Sequence, residues 1–355
     1  MQTQKAISNS IVSWYRKNAR DLPWRHSRDP YTIWISEIIL QQTSVAQGTS
    51  YFLRFIEAFP DVQSLAEAPE DDVLKLWQGL GYYSRARNLH YTAQLIMSNY
   101  GGQFPNTYKD ILSLKGIGPY TAAAVGSFAF DLNHVVVDGN VLRFMSRLLG
   151  IQKAIDATKT KKLITVQAQA LLDHAKPAEF NQAIMEMGAL VCTPKKPNCD
   201  SCPVATHCIA KKKNIVPVIP FKEKKIKKRH RYFHFYFVID SIGNTLLIKR
   251  TEKDIWQGLY QFPMQEHTSF DKKSIISDFL GLDTYGISGV DSSDIMRQTL
   301  THQRIHAKFH KIELQGKIKA KDYDDYILIP VDNMNKYPLP KIMDLYFNDL
   351  SITLF

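Results

Sequence analysis

The sequence predicts a multidomain protein in which an all-α domain is followed by an α+β domain. The chain has 355 residues, more than the roughly 100–200 residues of a typical single domain. Before residue 211 it reads as helical segments separated by Gly, Pro and Asp, and after residue 231 aromatic and β-branched residues surround a Gly-Asn turn. We therefore expect a helical domain at 1–210, a linker at 211–231 and an α+β domain at 232–355.

The composition is that of a soluble globular protein. Apolar residues make up 45% of the chain and charged residues 22%. The sequence contains no run of about 18 apolar residues, the length that would suggest a membrane span. Its first residues also lack the pattern of a secretion signal. We expect a cytoplasmic protein and, by default, a monomer.

The net charge of +11 favours a polyanionic partner, because Lys and Arg side chains that neutralise phosphates release bound counterions. Residues 211–231 carry ten Lys or Arg and a single Glu. With Pro217 and Pro220, this segment is typical of a solvated linker. We interpret it as a domain connector near DNA, and as a surface for contacts with partner proteins.

Local patterns predict the main helices of the first domain. In IWISEIILQQ (33–42), apolar residues and Gln42 are spaced as on one helical face. The stretch HVVVDGNVLRF (134–144) reads as a short buried strand followed by a helix, with Asp138 at the N-cap position, where its side chain accepts hydrogen bonds from the first helical turn.

A helical hairpin is predicted in TYKDILSLKGIGPYTAAAVGSFAF. Thr107 and Asp110 form a capping pattern at the start of its first helix, and Pro119 stands where the first residue of the second helix is expected. Gly116 and Gly118 permit a tight turn, in which backbone N–H groups could approach a phosphate closely.

Strands are predicted in the second domain. RYFHFYFVIDSIGNTLLIKR has the pattern of a hairpin around Gly243 and Asn244, and HAKFHKIELQGKI has the pattern of another strand. No internal repeat is evident.

The four cysteines of the chain have the spacing C-x6-C-x2-C-x5-C. They are Cys192, Cys199, Cys202 and Cys208. In a cytoplasmic protein this grouping favours one four-ligand metal centre over disulfides. Either zinc or a [4Fe-4S] cluster satisfies the ligand count.

Two of these motifs resemble parts of known DNA repair proteins. LKGIGPYTA resembles the helix-hairpin-helix of DNA glycosylases, and the cysteine loop is similar to the C-terminal cluster loop of the endonuclease III class. The second resemblance implies a [4Fe-4S] cluster. Because four protein thiolates leave no open ligand position, we expect the cluster to support the structure or to position DNA.

Two carboxylates are candidates for the chemistry of a glycosylase. Such an enzyme flips a nucleotide into a pocket, where an acid protonates the leaving base and an anion stabilises the sugar cation. Glu37 lies in an apolar helix, where desolvation raises a carboxyl pKa and keeps a proton available. N–H groups and the helix dipole would favour the ionised form of Asp138. We expect the two pKa values to move in opposite directions.

Nearly the whole chain resembles the MutY-type adenine DNA glycosylases. The matching stretches are DLPWR (21–25), WISEIILQQT (34–43), GLGYYSRARNLH (79–90), LKGIGPYTA (114–122), VDGNV (137–141) and NQAIMEMGALVCTPKKPNC (181–199), followed by the last two cysteines. The resemblance implies hydrolytic removal of adenine mispaired with 8-oxoguanine or guanine in double-stranded DNA, and hence an association with the nucleoid.

The resemblance also implies residue roles. Glu37 would protonate adenine N7, Asp138 would stabilise or trap the C1′ cation, and Tyr120 and Asn140 would support these steps. The remaining implied positions line the pocket or enter the base stack: Leu22, Trp24 and Arg25 for the pocket, Gln42 and Tyr82 for the stack.

Tyr120 distinguishes two glycosylase mechanisms. Relatives resembling endonuclease III carry a lysine at this place, and its amine forms a Schiff base that leads to strand cleavage. A phenol cannot form an imine, so we predict a monofunctional enzyme, although Lys115 lies nearby in the turn. The alternatives are a bifunctional glycosylase and lyase of the endonuclease III kind, and an iron–sulfur DNA-binding protein without catalysis.

The second domain resembles the Nudix-like domain of adenine glycosylases, through IWQGLYQFP (255–263). The following residues lack the clustered glutamates that would hold a divalent metal, so nucleotide hydrolysis is not expected. The resemblance implies that LTHQ (300–303) reads 8-oxoguanine. Many relatives have FSH there; Thr301 keeps the hydroxyl group and His302 is retained.

Overall fold

The computed structural model describes residues 2–223, 227–270 and 280–349. The chain divides into two compact units, one formed by 1–67 and 88–225 and the other by 68–87 and 226–355. Part of the predicted linker, residues 224–226, lies outside the described residues. None of the helices in the described ranges has the length and apolarity needed to span a membrane.

The first unit is helical, as the sequence predicts. Its helices are α1 (Gln2–Asn18), α2 (Pro30–Ile39), α3 (Val45–Ala58), α4 (Val62–Glu67), most of α6 (Ser84–Tyr100), α7 (Tyr108–Ser113), α8 (Pro119–Phe130), α9 (Gly139–Leu148), α10 (Thr158–Leu172), α11 (Pro177–Glu186) and α12 (Ile209–Lys212), while α5 (Glu70–Leu76) belongs to the second unit. Short 3-10 turns occur at Pro23–Arg25 and Ala205–His207, and a π-helical turn extends α11 over Met187–Val191.

Helix α2 is buried on all sides from Ile33 to Ile39. It packs against α3 and α8. The helix ends earlier than the sequence pattern predicts: Leu40 is its C-cap, and Gln42 lies in a turn with a positive φ of 62°. The predicted helical face therefore stops at Ile39, and Gln42 is not part of it.

The helical hairpin forms as predicted. Thr107 caps α7 by accepting a hydrogen bond from the N–H of Asp110 (3.2 Å), and Pro119 is the first residue of α8. Gly116 has a φ of 79°, and a Cβ atom there would lie 2.7 Å from the Cβ of Asn88. Only glycine fits both constraints. Gly118 has a φ of −95° and open space around it, so glycine is not sterically required at that position.

The segment before α9 is extended and buried, but the prediction that it forms a β-strand is wrong. No neighbouring strand pairs with it in the described part of this unit. Instead, the N–H of Val135 donates to Gln169 (2.9 Å) and the N–H of Val136 donates to Asn181 (3.0 Å). Two amide side chains thus satisfy buried backbone groups that a strand partner would otherwise bind.

The second unit contains two sheets. Its strands are β1 (Arg229–Ile239), β2 (Asn244–Lys249), β3 (Tyr260–Gln261), β4 (Met264–His267), β5 (Ile287–Ser292), β6 (Met296–Thr299), β7 (Gln303–Leu314) and β8 (Ile327–Pro330). One sheet has the order β4-β1-β7-β5, with β6 also paired to β7, and the other has the order β3-β2-β8. Short 3-10 turns occur at Leu282–Tyr285, Ala320–Asp322 and Val331–Lys336.

Helix α13 (Lys341–Asp349) packs on the larger sheet. Tyr346 stacks on Phe309 of β7 with 4.2 Å between ring centroids, and Phe309 in turn stacks on Phe235 of β1 at 5.0 Å. These rings form an aromatic core in the second unit. The α+β class predicted for this part of the chain is confirmed.

The predicted hairpin between β1 and β2 is wrong in its pairing. The turn is present, because the N–H of Asp240 donates to the carbonyl of Asn244 (2.9 Å). However, β1 is bonded on one edge to β4 and on the other, in parallel, to β7, while β2 belongs to the second sheet. Over residues 232–235 both edges of β1 are occupied, by β4 and by β7, so β2 cannot pair with this part of β1.

Candidate functional site

A cavity of about 800 Å³ opens in the helical unit and contains the predicted catalytic residues. Four of its lining residues lie on helices α2 and α8 and at the start of α9. Glu37 lies on α2, Tyr120 on α8, Asp138 at the N-cap of α9 and Asn140 in its first turn. The volume is sufficient for a nucleobase and part of its sugar.

Glu37 and Tyr120 form a buried hydrogen-bonded pair. The tyrosine hydroxyl donates to Oε2 of Glu37 over 2.6 Å, and Glu37 is only 5% exposed. Burial raises the pKa of Glu37 to about 7, although the hydrogen bond from Tyr120 partly opposes this rise. Burial and the nearby carboxylates raise the pKa of Tyr120 well above its ordinary value. The pair therefore holds an ionisable proton on Glu37 near neutral pH.

Asp138 combines the predicted capping role with an unexpected pKa. Its Oδ1 accepts from the N–H of Val141 (2.7 Å) and its Oδ2 from the amide of Asn140 (2.7 Å). These bonds lower the pKa, but burial outweighs them and the net direction is upward from 3.8. The expectation that the two pKa values move in opposite directions is therefore wrong. Both pKa values rise, that of Glu37 to about 7.

A chain of hydrogen bonds links Asp138 to the cysteine loop. Asn140, which donates to Asp138, accepts from Nη2 of Arg143 (2.9 Å). The same guanidinium donates to the carbonyl of Gly188 (2.6 Å) and through Nε to the carbonyl of Cys192 (2.8 Å). Asn140 thus orients the carboxylate of Asp138, and Arg143 connects Asn140 to the start of the loop.

The other predicted pocket residues lie where the sequence places them. Leu22, Trp24 and Arg25 all line the cavity and belong to or adjoin the turn before α2. Leu22 and Trp24 are buried. Gln42 is not among the lining residues. Its backbone is left-handed, a conformation that is rare for residues other than glycine. Such conformations are often found at functional sites.

Sequence reasoning missed the acid that orients Arg25. Glu186, at the end of α11, is 1% exposed and binds Arg20 (2.7 Å) and Arg25 (2.9 Å). Burial alone would raise its pKa, but the hydrogen bonds from the two arginines lower it to about 2. Glu186 therefore stays ionised and fixes the Arg25 side chain at the wall of the cavity. Its partners lie more than 160 residues away, so no local pattern identifies it.

The four cysteine side chains line a second, mainly apolar cavity in the helical unit. Arg147 reaches its edge, where Nη1 lies 3.4 Å from Sγ of Cys192, and burial raises the pKa of the Cys202 thiol to about 11. In the described residues, no three His, Cys, Asp or Glu side chains are placed to hold one metal ion together. A [4Fe-4S] centre instead uses each thiolate on a separate iron.

A family match supports the iron–sulfur prediction. Residues 192–208 match the iron-sulfur binding domain of endonuclease III, which confirms the predicted [4Fe-4S] cofactor. When bound, the cluster supplies a cross-link between both ends of the loop. It leaves no open ligand position for a substrate.

Metal analysis provides a direct check on this site. We expect about four iron and four sulfide per chain in protein purified anaerobically, because four thiolates complete one cluster. Replacing Cys199 with serine is expected to lower the iron content and to reduce stability, since metal binding is coupled to folding. Ser201→Ala, in the same loop, is the control and should retain the iron. One zinc per chain would contradict the assignment.

The second unit holds another cavity, of about 420 Å³. Tyr82 and the turn between β6 and β7, which contains Thr301 and His302, line it together. The hydroxyl groups of Tyr82 and Thr301 are hydrogen bonded to each other. Tyr82 is 45% exposed and has a positive φ of 48°, and His302 is exposed. The structure thus joins three predicted DNA-contacting residues in one place.

Family comparisons agree with the two-part architecture. Residues 35–188 match the HhH-GPD superfamily of base excision DNA repair proteins, and residues 234–349 match the NUDIX domain. Among solved structures, a thermostable thymine-DNA glycosylase is 30% identical, with a TM-score of 0.55, and the match covers 60% of this chain and 98% of that one. An endonuclease III–DNA complex at 22% identity has the same fold over a similar range, with a TM-score of 0.51.

Curated relatives extend the similarity across both units. An adenine DNA glycosylase of Buchnera aphidicola subsp. Schizaphis graminum is 37% identical, and the match covers 87% of this chain and 86% of the relative. The protein of that name from Buchnera aphidicola subsp. Acyrthosiphon pisum is 38% identical over 74% of this chain and 75% of its own length. The mouse adenine DNA glycosylase is 44% identical over 58% of this chain and 42% of its own.

Proposed function

Because this chain belongs to the adenine DNA glycosylase family, we propose that it removes adenine mispaired with 8-oxoguanine or guanine from double-stranded DNA during base excision repair. The reaction is hydrolysis of the N-glycosidic bond. The observation that carries the proposal is the buried Glu37–Tyr120 pair, which holds a proton near neutral pH in a cavity that Asp138 also lines.

The residues of the cavity supply an acid and an anion for this reaction. Adenine flipped into the cavity receives the proton of Glu37 at N7, which makes the base a better leaving group. As the bond to C1′ breaks, positive charge develops on the sugar, and the carboxylate of Asp138 stabilises it. Asn140 orients that carboxylate, and Tyr120 orients Glu37. Water then adds to C1′, and the proton that it releases passes to the carboxylate of Glu37, which restores the acid.

The lysines of the helical unit favour a monofunctional mechanism. Tyr120 occupies the place where a Schiff-base lysine would stand. Lys115 does not line the cavity, and its ammonium lies over the ring of Tyr91, 4.1 Å from the centroid. Among the described residues, Lys176 is the only lysine that lines the cavity, and it directly precedes α11. Strand cleavage without alkali is therefore expected to be weak.

A single-turnover assay tests the function. Excess protein is mixed with a labelled duplex carrying one adenine opposite 8-oxoguanine, and samples are analysed with and without alkali. We expect free adenine and strand breakage only after alkali. Strong breakage without alkali would overturn the monofunctional assignment, and Lys115→Ala and Lys176→Ala would then identify the amine. Binding without adenine release would instead favour a non-catalytic DNA-binding protein.

The second unit is proposed to read the base opposite adenine. Tyr82, Thr301 and His302 present hydroxyl and imidazole groups beside one cavity, where they can hydrogen bond to the edge of an 8-oxoguanine. Nucleotide hydrolysis is not part of the proposal, because the sequence after Pro263 lacks clustered glutamates. Residues 271–279 of this stretch lie outside the described residues.

Removing both turn side chains tests this reading function. We expect Thr301→Ala combined with His302→Ala to lower the preference for 8-oxoguanine over guanine opposite adenine by about 30-fold, because two lost hydrogen bonds of about 1 kcal/mol each add to about 2 kcal/mol. The measurement is the ratio of single-turnover rates on the two duplexes. Thr284→Ala, in another exposed turn of the same unit, should leave the ratio unchanged. An unaltered ratio in the double variant would remove these residues from the recognition of 8-oxoguanine.

Three remaining features are also proposed. The domain boundaries are placed near residues 210 and 232, and the basic segment 211–231 is assigned to help hold DNA and to contact other repair proteins, because of its charge. We place the protein on the nucleoid of the cytoplasm, where its substrate lies. We assign a monomer, which size-exclusion chromatography can test.

A further inference from the structure

Residues 68–87 form part of the second unit, although they are distant from its strands in sequence. This segment contains α5 and the loop Gly79–Tyr83, which includes Tyr82. Side-chain contacts attach it to the Nudix-like fold on both sides of that loop. These contacts anchor the segment that carries Tyr82, whose hydroxyl group is hydrogen bonded to that of Thr301.

Asp71 provides the first attachment, at the start of α5. Its Oδ1 accepts from Nζ of Lys249 on β2 (2.6 Å), and its Oδ2 accepts from the hydroxyl of Tyr260 on β3 (2.9 Å). Both members of the ion pair are about one-third exposed. Exposed pairs contribute little to stability, so this attachment alone does not fix the loop.

Gln78 provides the second attachment, directly before the loop. Its amide nitrogen donates to Asp344 of α13 (3.1 Å), and its amide oxygen accepts from the N–H of Leu339 (3.3 Å) and from Nζ of Lys75 (3.2 Å). Burial raises the pKa of Asp344 to about 6, although the hydrogen bond from Gln78 opposes that rise. One side chain thus binds the C-terminal helix and the segment that leads into it.

Arg87 provides the third attachment, after the loop. Its guanidinium donates to the side-chain oxygen of Gln257 (3.0 Å) and to the backbone carbonyl of the same residue. Gln257 belongs to the turn that also lines the cavity of Tyr82 and Thr301. The loop is therefore held at its beginning by Gln78 and at its end by Arg87.

The loop between these attachments has a backbone that requires support. Gly79, Gly81 and Tyr82 all have positive φ values, of 95°, 71° and 48°. A left-handed conformation is unfavourable for a tyrosine and persists where surrounding contacts determine it. No Cβ clash occurs at Gly81, so crowding at that glycine does not impose the loop shape.

We propose that Gln78 and Asp344 are positioning residues for recognition of the base opposite adenine, because they hold the loop in which Tyr82 meets Thr301. The inference rests on the proposed function, in which those two residues read 8-oxoguanine. The inference assigns a role in specificity to helix α13. This helix contributes no side chain to the hydrogen bond between Tyr82 and Thr301. Changes at Gln78 or Asp344 should therefore act on the choice of opposite base.

A hydrogen-bond exchange between the two residues provides the test. Gln78→Glu places a second carboxylate beside Asp344 and removes the donor, whereas Gln78→Glu with Asp344→Asn restores one donor and one acceptor with their direction reversed. We expect Gln78→Glu to lower the preference for 8-oxoguanine over guanine by about tenfold, and the double variant to recover most of it. A residue with only a general structural role would not show this recovery in selectivity.

Controls separate this inference from the proposed function. Tyr285→Phe removes a hydrogen bond to Asp322 in the same unit (2.5 Å) and should leave the preference unchanged. If the double variant Thr301→Ala with His302→Ala loses the preference while Gln78→Glu keeps it, the inference is wrong and the proposed function stands. Loss of preference in Gln78→Glu without recovery in the exchange variant also overturns it. If none of the variants changes the preference, both the inference and the proposed reading function of Thr301 and His302 are rejected.

Discussion

Replacing Glu37 with glutamine is expected to reduce single-turnover adenine excision by about 10³-fold, within the range measured for loss of a general acid. The glutamine is close in size and keeps a group that can accept from Tyr120, but it cannot donate a proton to adenine N7. Binding of the duplex should be retained. The expected result is therefore a protein that binds A opposite 8-oxoguanine and hardly cleaves the glycosidic bond.

The pH profile distinguishes this role from a purely structural one. With a pKa of about 7, Glu37 is protonated below neutral pH and loses its proton as the pH rises through 7. The excision rate should therefore fall by about tenfold per pH unit above 7, since one proton is required. The residual excision rate of Glu37→Gln should not show this fall above pH 7. A wild-type rate that stays constant from pH 6 to about pH 9 would contradict the assignment of Glu37 as the acid.

The same substitution is expected to increase stability at alkaline pH. The carboxyl group has a pKa of about 7 in the folded chain against an ordinary value of 4.5, so the folded state holds a proton that the unfolded state releases between these values. This contribution to stability is complete below 4.5 and is lost as the pH rises through 7. Above that pH, Glu37→Gln should exceed wild type by up to about 3 kcal/mol in the free energy of unfolding. Glu57→Gln, on the exposed face of α3, is the control and should have the same free energy of unfolding as wild type above pH 7.

Features determined by neighbouring residues could be predicted from the sequence. The caps at Thr107 and Asp138 and the position of Pro119 depend on contacts within three or four residues. The burial of Glu37 follows from the apolar residues on every side of its helix. The cysteine loop is similarly local, since all four ligands lie within 17 residues of sequence, from 192 to 208.

Features determined by distant contacts could not be predicted in the same way. Glu186 finds its arginines across more than 160 residues, and β1 pairs with β7 across more than 70. The pKa of Asp138 is the clearest example, because its local hydrogen bonds were correctly expected, while the burial that outweighs them comes from the packed fold. The helix end before Gln42 and the membership of residues 68–87 in the second unit likewise depend on tertiary contacts.

Replacing Asp138 with asparagine is expected to reduce excision by about 10²–10³-fold, the usual effect of removing one electrostatic contact to a transition state. The amide has no negative charge to stabilise the cation at C1′. Its oxygen can still accept from the N–H of Val141, but its NH2 group would face the NH2 group of Asn140, where the carboxylate now accepts a bond of 2.7 Å. Both the charge and its orientation are therefore lost.

Two comparisons attribute that loss to charge at the sugar. Asp61→Asn is the matched control, because Asp61 also accepts from an N–H three residues later (2.8 Å) but is exposed and does not line the cavity. It should excise adenine at the wild-type rate, which would exclude a general effect of weakening a helix start. Asp138→Asn should retain the fall in rate above pH 7, since that limb belongs to Glu37. Loss of the limb would show that the two carboxyl groups titrate as one unit, and the separate roles of acid and anion would have to be abandoned.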